Sequence, residues 1–219
     1  MISRPANGSR TFVPATGLNL LLPFYDPLSY VFTRLPKLKK NIVAALDLHP
    51  GNSVLDMGCG TGTLLSTIQA AFPDIHSVGI DIDHRVLSRA KSKCPSSALF
   101  QCSMEVLPFS NGQFDQIVCS MAFHHLLDLE KRKVLREALR VCRPAGHLLL
   151  IDYAEAANAL AAMLFLPVRM LDGWDQTRAN AGGQLPKFIQ ECGWQFRSER
   201  FQLGTPLGTI RAYAAFHSK

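Results

Sequence analysis

Short apolar runs alternate with segments of helical spacing through the middle of the chain. Five runs predict buried strands, at 53–57, 77–81, 98–102, 114–120 and 146–151, and three segments predict helices between them, at 62–72, 83–94 and 127–143. Continuous apolar strands that alternate with helices are typical of a parallel sheet covered on both faces. The pattern therefore predicts an α/β fold.

A different pattern follows towards the C-terminus. A helix is predicted over 184–192, and the segments 194–202 and 207–216 then alternate polar and apolar residues. Gly204-Thr205-Pro206 between them is a turn signal, so the two segments predict an antiparallel hairpin that completes the sheet. We therefore expect a mostly parallel seven-stranded sheet with helices on both faces and a C-terminal antiparallel hairpin.

The first residues lack these patterns. Residues 1–17 are polar and are interpreted as a tail, and residues 18–32 are apolar and aromatic. Pro23 and Pro27 exclude one long helix there, and a helix is predicted only over 38–48. We accordingly divide the chain into an N-terminal segment, 1–35, and one domain, 36–219.

Composition narrows the class of protein. The 219 residues are 47% hydrophobic and 18% charged, which excludes intrinsic disorder and suits one sizeable domain. The longest uncharged apolar stretch, 156–168, is shorter than the about 20 residues that cross a bilayer, and no signal-peptide pattern is present, so we expect a cytoplasmic protein. Six scattered cysteines without a CxxC pair predict neither a disulfide framework nor a metal site.

The charge is basic, with a formal net value of +6. One local cluster contains Arg34, Lys37, Lys39 and Lys40, and such a run is most often a solvated helix face. An acidic substrate or an anionic membrane surface remains an open alternative. Nucleic acid is not expected, because the basic residues form no stripe interleaved with aromatic side chains.

A glycine-rich turn follows the first predicted strand. Glycines stand at 58, 60 and 62, where they allow a tight turn and close approach of the backbone to a ligand. The spacing differs from the G-x-G-x-x-G of dinucleotide sites, since Thr63 occupies the place of the third glycine. Asp56 precedes the turn and would attract a cationic ligand.

A second carboxylate ends the second predicted strand, at Asp81. A carboxylate at that place can accept two hydrogen bonds from ribose hydroxyls. The two aspartates together predict a ligand that carries a ribose and a positive charge. Simple sheet packing explains them poorly, because carboxylates at strand ends are not core residues.

These segments resemble the class I S-adenosylmethionine-dependent methyltransferases, and within them the ubiquinone/menaquinone biosynthesis C-methyltransferases. The resemblance covers roughly Gly51 to the C-terminus and rests on VLDMGCGTG at 54–62, GIDID at 79–83, QCSMEVLPF at 101–109, FDQIV at 114–118 and RPAG at 143–146. It implies a Rossmann-like fold, S-adenosylmethionine as cofactor and S-adenosylhomocysteine as product.

The resemblance also implies roles for individual residues on the cofactor side. Asp56, Gly58, Cys59 and Gly60 would hold the methionine end, Asp81 the ribose hydroxyls, and Ile82 and Met104 the adenine, while Ser120 would line the sulfonium side. Ser103 stands where the family commonly has Asp, so its hydrogen bond to the adenine amino group would lack charge assistance. For Ile82 and Met104, plain packing is an equal alternative.

The loop after the fourth strand, 120–126, should face the reacting methyl group, and His124 in it is the candidate general base. Its ordinary pKa lies near neutrality. The alternative is that the pair His124-His125 only orders the loop, as in many relatives of differing chemistry. A base is needed only when the acceptor loses a proton.

The substrate pocket is predicted from two apolar segments. In relatives, residues before the core fold over the cofactor as a lid, which brings in Tyr25 and Tyr30, and the segment 156–178 contributes Trp174. A core helix, a homodimer contact and a peripheral membrane contact are open alternatives for the second segment.

We expect a small, largely apolar acceptor, with carbon, oxygen, nitrogen and sulfur all open as the methylated atom. Two other functions stay open. One is a cofactor-binding or assembly protein without catalysis. The other is a nicotinamide-dependent oxidoreductase, which Thr63 and the missing phosphate cradle disfavour.

Overall fold

A seven-stranded sheet organises residues 34–218, the part of the chain that the computed structural model describes. Its strands are β1 (Ser53–Met57), β2 (His76–Asp81), β3 (Ala98–Gln101), β4 (Phe114–Ser120), β5 (Cys142–Tyr153), β6 (Gln195–Thr205) and β7 (Gly208–Phe216). Their spatial order is β3-β2-β1-β4-β5-β7-β6. The first five strands pair in parallel, and β7 pairs antiparallel with β5 and β6. The predicted fold class is confirmed.

Helices cover both faces of this sheet. They are α1 (Leu35–Ala45), α2 (Thr63–Ala71), α3 (His84–Lys93), α4 (Asp128–Val141), α5 (Ala159–Asp172), α6 (Trp174–Ala181) and α7 (Leu185–Glu191), and a short 3₁₀ turn spans Phe123–His125. Buried apolar side chains of α4 and α7 pack in one core cluster, and those of α1 and α5, with Leu64 and Ile68 of α2, pack in a second. Neighbouring residues of the central strands alternate between the two clusters, as the period of a strand requires.

The last strand, β7, lies inside the sheet between β5 and β6. Its residues serve both core clusters: Tyr213 and Ala215 pack in the first, and Ile210 and Ala212 pack in the second. The hairpin was predicted, whereas the insertion of its second strand next to β5 is a finding of the structure.

Several boundaries differ from the sequence prediction. β5 begins at Cys142, because that residue already pairs with Phe114, and α1 begins at Leu35, with a proline in its first turn. The strands of the hairpin extend through Thr205 and from Gly208, so the turn lies later than Gly204-Thr205-Pro206. The helix α6 was not predicted.

The apolar segment 156–168 forms most of α5, whose first turn is capped by the Asn158 side chain, an acceptor for the Ala161 N–H. Only Phe165 and Val168 of this helix are fully buried. Packing in the core therefore accounts for two apolar side chains of α5. It does not account for the apolar side chains on the exposed face of this helix. None of the helices within 34–218 is both long and apolar enough to cross a membrane.

Candidate active site

From β1 the strands are added in one direction, to β2 and β3, and from β4 they are added in the other, so the direction of strand addition switches between β1 and β4. Ligands of open α/β sheets bind at such a switch point, outside the carboxyl ends of the strands. After β1 the backbone turns through Gly58 and Gly60, with φ angles of 76° and 53°, which favour glycine. The N–H groups of Gly58 and Cys59 donate to the carbonyl of Ile80, at 2.9 and 2.8 Å. The turn is thus tied to β2 by main-chain bonds.

Asp81 fastens the same turn from the end of β2. One of its carboxylate oxygens accepts from the Gly60 N–H at 2.9 Å, and the other accepts from the Asp83 N–H at 3.0 Å. Burial raises the pKa of Asp81, and these N–H groups only partly counteract the increase. Because a carboxylate offers roughly four lone-pair sites, Asp81 keeps acceptor capacity for further donors such as a pair of hydroxyls.

Asp56 is buried at the end of β1 and is incompletely satisfied. Within residues 34–218, its Oδ2 has no hydrogen-bond partner. Burial, and secondarily the nearby Asp81, raise its pKa to about 7. An unpaired buried carboxylate is costly, and a positively charged ligand group would relieve that cost. The residue therefore fits the cationic ligand that the sequence predicted.

The two glycines of the turn face different surroundings. A Cβ added at Gly58 would lie 2.7 Å from the Cβ of Ala122, so the turn touches the loop that follows β4. A Cβ added at Gly60 would meet no atom of the described residues within 4 Å. The backbone at Gly60 is therefore open to a ligand, and the predicted donor and acceptor sides are contiguous.

The predicted adenine side contains exposed and half-buried groups. Ile82 follows β2 with 46% of its surface exposed, so it is accessible to a ligand at this place. The Ser103 hydroxyl accepts from the Glu105 N–H at 3.2 Å, which closes a local turn. Met104 is half-buried, and its sulfur would lie 3.6 Å from a Cβ added at Gly58, so this side chain lies next to the glycine turn.

Cys59 contributes its backbone to the turn, while its side chain is part of the scaffold. A Cβ added at Gly79 would lie 2.9 Å from the Cys59 sulfur, so this thiol packs against β2. Burial, followed by the charges of Asp56 and Asp81, raises the pKa of the thiol far above its usual range. It is consequently neutral and inert.

The loop after β4 is fixed by Asp152, a residue that the sequence analysis did not single out. One oxygen of this fully buried carboxylate accepts from the N–H groups of Phe123 and His124, at 2.7 and 3.1 Å. The other accepts from the Tyr153 N–H and faces the His124 Nδ1, each at 2.6 Å. A signal existed, because Asp152 directly follows the apolar strand predicted over 146–151, and Asp81 likewise stands at the carboxyl end of a predicted strand.

Both histidines of the loop face carboxylates. His124 is buried, with its Nδ1 at Asp152 and its Nε2 3.6 Å from an oxygen of Asp172. Burial lowers the pKa of His124, but the charge and hydrogen bond of Asp152 outweigh it, so the pKa is raised overall. His125 places its Nδ1 3.4 Å from the second Asp172 oxygen. Asp172 is the last residue of α5, so this helix ends against the loop.

The structure brings the predicted cofactor residues together along the carboxyl ends of β1, β2 and β3, with Ser120 at the end of β4 nearby. Trp174 begins α6, two residues after Asp172, with 52% of its surface exposed and the Arg169 guanidinium 4.1 Å from its ring centre. Tyr25 and Tyr30 lie outside the described residues, so the predicted lid stays a prediction.

Known proteins are similar to this chain in sequence and in fold. A family model described as a methyltransferase domain matches residues 54–146. The fold is similar to a crystal structure described as a methyltransferase from Bacillus halodurans C-125, with a TM-score of 0.69 and 18% identity, covering 83% of this chain and 99% of that one.

Sequence relatives include a ubiquinone/menaquinone biosynthesis C-methyltransferase of Syntrophotalea carbinolica, 31% identical over 127 residues, which are 56% of this chain and 53% of the relative. The chain thus spans about half the length of that enzyme. An uncharacterized methyltransferase of Synechocystis is 33% identical over 172 residues, or 77% of this chain and 79% of the relative. Identity at this level over most of both chains makes the protein a member of the class I S-adenosylmethionine-dependent methyltransferases, with S-adenosylmethionine as its cofactor.

Proposed function

We propose that the protein methylates a small, largely apolar acceptor, and that a carbon atom of a quinol ring is the first acceptor class to test. The carbon acceptor is supported by the name of the Syntrophotalea relative, a C-methyltransferase of quinone biosynthesis. The comparisons favour neither the non-catalytic alternative nor the nicotinamide-dependent one.

The cofactor residues fit a ligand with a cation at one end and a ribose in the middle. In this proposal the unpaired oxygen of Asp56 and the open backbone at Gly60 hold the methionine end, and Asp81 accepts from the ribose hydroxyls. Ile82, the residue that follows β2, packs on the adenine. S-adenosylmethionine, when bound, supplies a methyl group activated by its attachment to a positively charged sulfur.

The chain's own contribution on the acceptor side is alignment and exclusion of water. Direct displacement needs the nucleophile held in line with the bond that breaks. Ser120 ends β4 at the boundary between the two sides, and Ala122 touches the glycine turn. His124, oriented by Asp152, is the candidate base for an acceptor that loses a proton.

The observation that carries the acceptor class is the apolar end of α5. Met170, Leu171 and Trp174 are all exposed, Leu171 to 83%, and they flank Asp172, which contacts both histidines of the loop. Large apolar side chains clustered at the surface mark binding sites. We propose that this end of α5, together with residues 18–32, forms an apolar pocket over the loop.

A turnover assay tests the acceptor class directly. Radiolabelled methyl transfer from S-adenosylmethionine is measured with demethylated quinols of differing tail length, and with polar amines and carboxylic acids as a contrast. Turnover confined to the quinols supports the proposal. Turnover confined to polar acceptors contradicts it, and tight S-adenosylhomocysteine binding without any turnover favours the non-catalytic alternative.

A matched pair of variants tests the pocket. Leu171→Glu places a charge in the proposed pocket, so we expect the acceptor KM to rise roughly tenfold with unchanged affinity for S-adenosylhomocysteine. Leu129→Glu is the control, because Leu129 is similarly exposed but belongs to α4, whose buried apolar side chains pack in the other core cluster. Equal KM values for the two variants would remove α5 from the pocket.

A further inference from the structure

We propose that His124, His125 and Asp172 form a binding site for a divalent transition-metal ion, with Zn²⁺ as the ion to test. The site lies beside the loop after β4, on the acceptor side of the sheet edge. It does not depend on which acceptor the enzyme methylates, nor on the proposed cofactor contacts. With an ion bound, the Nε2 of His124 is a metal ligand, so the role of His124 as a general base applies only to the metal-free enzyme.

The three residues already converge. Each offers one ligand atom, and these atoms all lie within 4.8 Å of one another. The two distances to Asp172 are 3.6 Å from the His124 Nε2 and 3.4 Å from the His125 Nδ1. These two distances run to different oxygens of the Asp172 carboxylate. Ligands that bind Zn²⁺ tetrahedrally at about 2.0–2.2 Å stand roughly 3.3–3.6 Å apart, so the widest spacing in the cluster has to contract by about 1.5 Å at most.

Asp152 supplies the outer support that metal-binding histidines usually have. Its carboxylate faces the Nδ1 of His124 at 2.6 Å and is itself held by three backbone N–H groups. When the Nδ1–H of a neutral His124 donates a hydrogen bond to Asp152, the lone pair of the Nε2 points towards Asp172. A carboxylate on the second ring nitrogen fixes the tautomer and the ring orientation of a metal ligand in this way.

The ligand types select the class of ion. Two imidazoles and one carboxylate make up the protein ligands of many catalytic zinc sites and of non-haem iron centres, whereas Mg²⁺ prefers oxygen ligands. Two carboxylates, Asp152 and Asp172, face the histidines. The buried Lys131 ammonium opposes them, but it donates to the carbonyls of Leu126 and Gln176.

The site is open on one side. The side chain of His125 is 36% exposed and that of Asp172 is 21% exposed, whereas His124 is buried. An ion bound by these three residues would therefore keep coordination positions for water or for an oxygen atom of an acceptor. This exposure also lets the ion exchange with solvent.

Metal binding to the chelator-treated full chain tests the proposal. Calorimetry with Zn²⁺ should show one saturable site per chain, and Mg²⁺ at the same concentration should not compete. Co²⁺ should bind the same site and give an absorption spectrum without the sulfur-to-cobalt charge-transfer band, because no cysteine is among the ligands. Absence of saturable binding, or a spectrum dominated by thiolate ligands, would overturn the proposal.

Variants locate the ion. His125→Gln and Asp172→Ala should each weaken Zn²⁺ binding at least tenfold, while thermal unfolding shows that the variants are folded. The control is Asp47→Ala. An oxygen of Asp47 lies 3.7 Å from the Nε2 of His49, but in an exposed pair that no third metal-ligating residue among 34–218 joins. Unchanged Zn²⁺ affinity in folded His125→Gln, or an equal loss in Asp47→Ala, would show that the ion binds elsewhere.

Discussion

The cofactor side and the acceptor side of the sheet edge are built in different ways. On the cofactor side, N–H groups of the glycine turn bond to β2, and Asp81 adds two further bonds to the backbone. On the acceptor side, contacts between side chains take this role, with the buried Asp152 and the half-buried Asp172 holding two histidines. The structure of the cofactor side therefore depends on the backbone conformation of one turn. The structure of the acceptor side depends on contacts between side chains that are far apart in the sequence.

Filling the open space at Gly60 should break the cofactor side most severely. Gly60→Val puts a branched side chain where the backbone is open, and we expect affinity for S-adenosylhomocysteine to fall roughly a hundredfold or more in calorimetry. Adopting the same positive φ with a side chain should also cost about 1–3 kcal/mol of stability.

Gly51→Val separates these two effects. Gly51 also has a positive φ and open surroundings, but it precedes β1 at the opposite edge of the sheet. It should lose similar stability in thermal unfolding and keep its cofactor affinity. Equal affinities for the two variants would place the cofactor away from Gly60.

Removing Asp81 should have the next largest effect, since it would lose both the proposed hydroxyl contacts and the support of the turn. Asp81→Ala is expected to weaken S-adenosylhomocysteine binding by roughly tenfold to a hundredfold. The control is Asp115→Ala, because that carboxylate also accepts from a backbone N–H, of Ser53 at 2.8 Å, but at the amino end of β1. A comparable loss of affinity in Asp115→Ala would indicate a general effect of stability.

The smallest expected effect is a dependence on pH through Asp56. Its raised pKa of about 7 means that the unliganded protein holds a proton there at mildly acidic pH, whereas a cationic ligand favours the carboxylate. Affinity for S-adenosylhomocysteine should therefore rise up to about tenfold from about pH 6 to about pH 8. Calorimetry in buffers of different ionisation enthalpy should detect proton release near pH 7.

Asp56 should affect the stability of the unliganded protein in the opposite direction. Between the ordinary pKa of 3.8 and about 7 the folded state binds more protons than the unfolded state, so the free energy of unfolding should fall as pH rises through that window. Asp56→Asn should remove both trends. A variant that kept the pH dependence of binding would assign it to another group.

Much of the cofactor side could be predicted from the sequence, because its elements are local. The strand, the glycine turn and the following helix are contiguous, and Asp81 ends the next strand. The acceptor side could not be predicted as well. Asp152 and Asp172 reach the loop only through the packing of β5 and α5, and no periodicity indicates which residue at a helix end will meet a histidine.

The hairpin shows the same limit for the fold. Alternation predicted two antiparallel strands, but the position of β7 between β5 and β6 depends on long-range pairing. The helix α6 was missed because its eight residues, Trp174–Ala181, lack a strong apolar stripe. Short helices of this kind are stabilised by tertiary contacts more than by their own sequence.

The place of β7 has a consequence for the order of events during translation. Every motif of the cofactor side leaves the ribosome before β7 does, yet both core layers need β7 side chains to close. Until then, β5 presents an unpaired edge between two incomplete apolar layers, the kind of surface on which nascent chains aggregate. The C-terminal hairpin, which carries none of the cofactor motifs, is therefore expected to determine when the carboxyl edge of the sheet becomes stably folded.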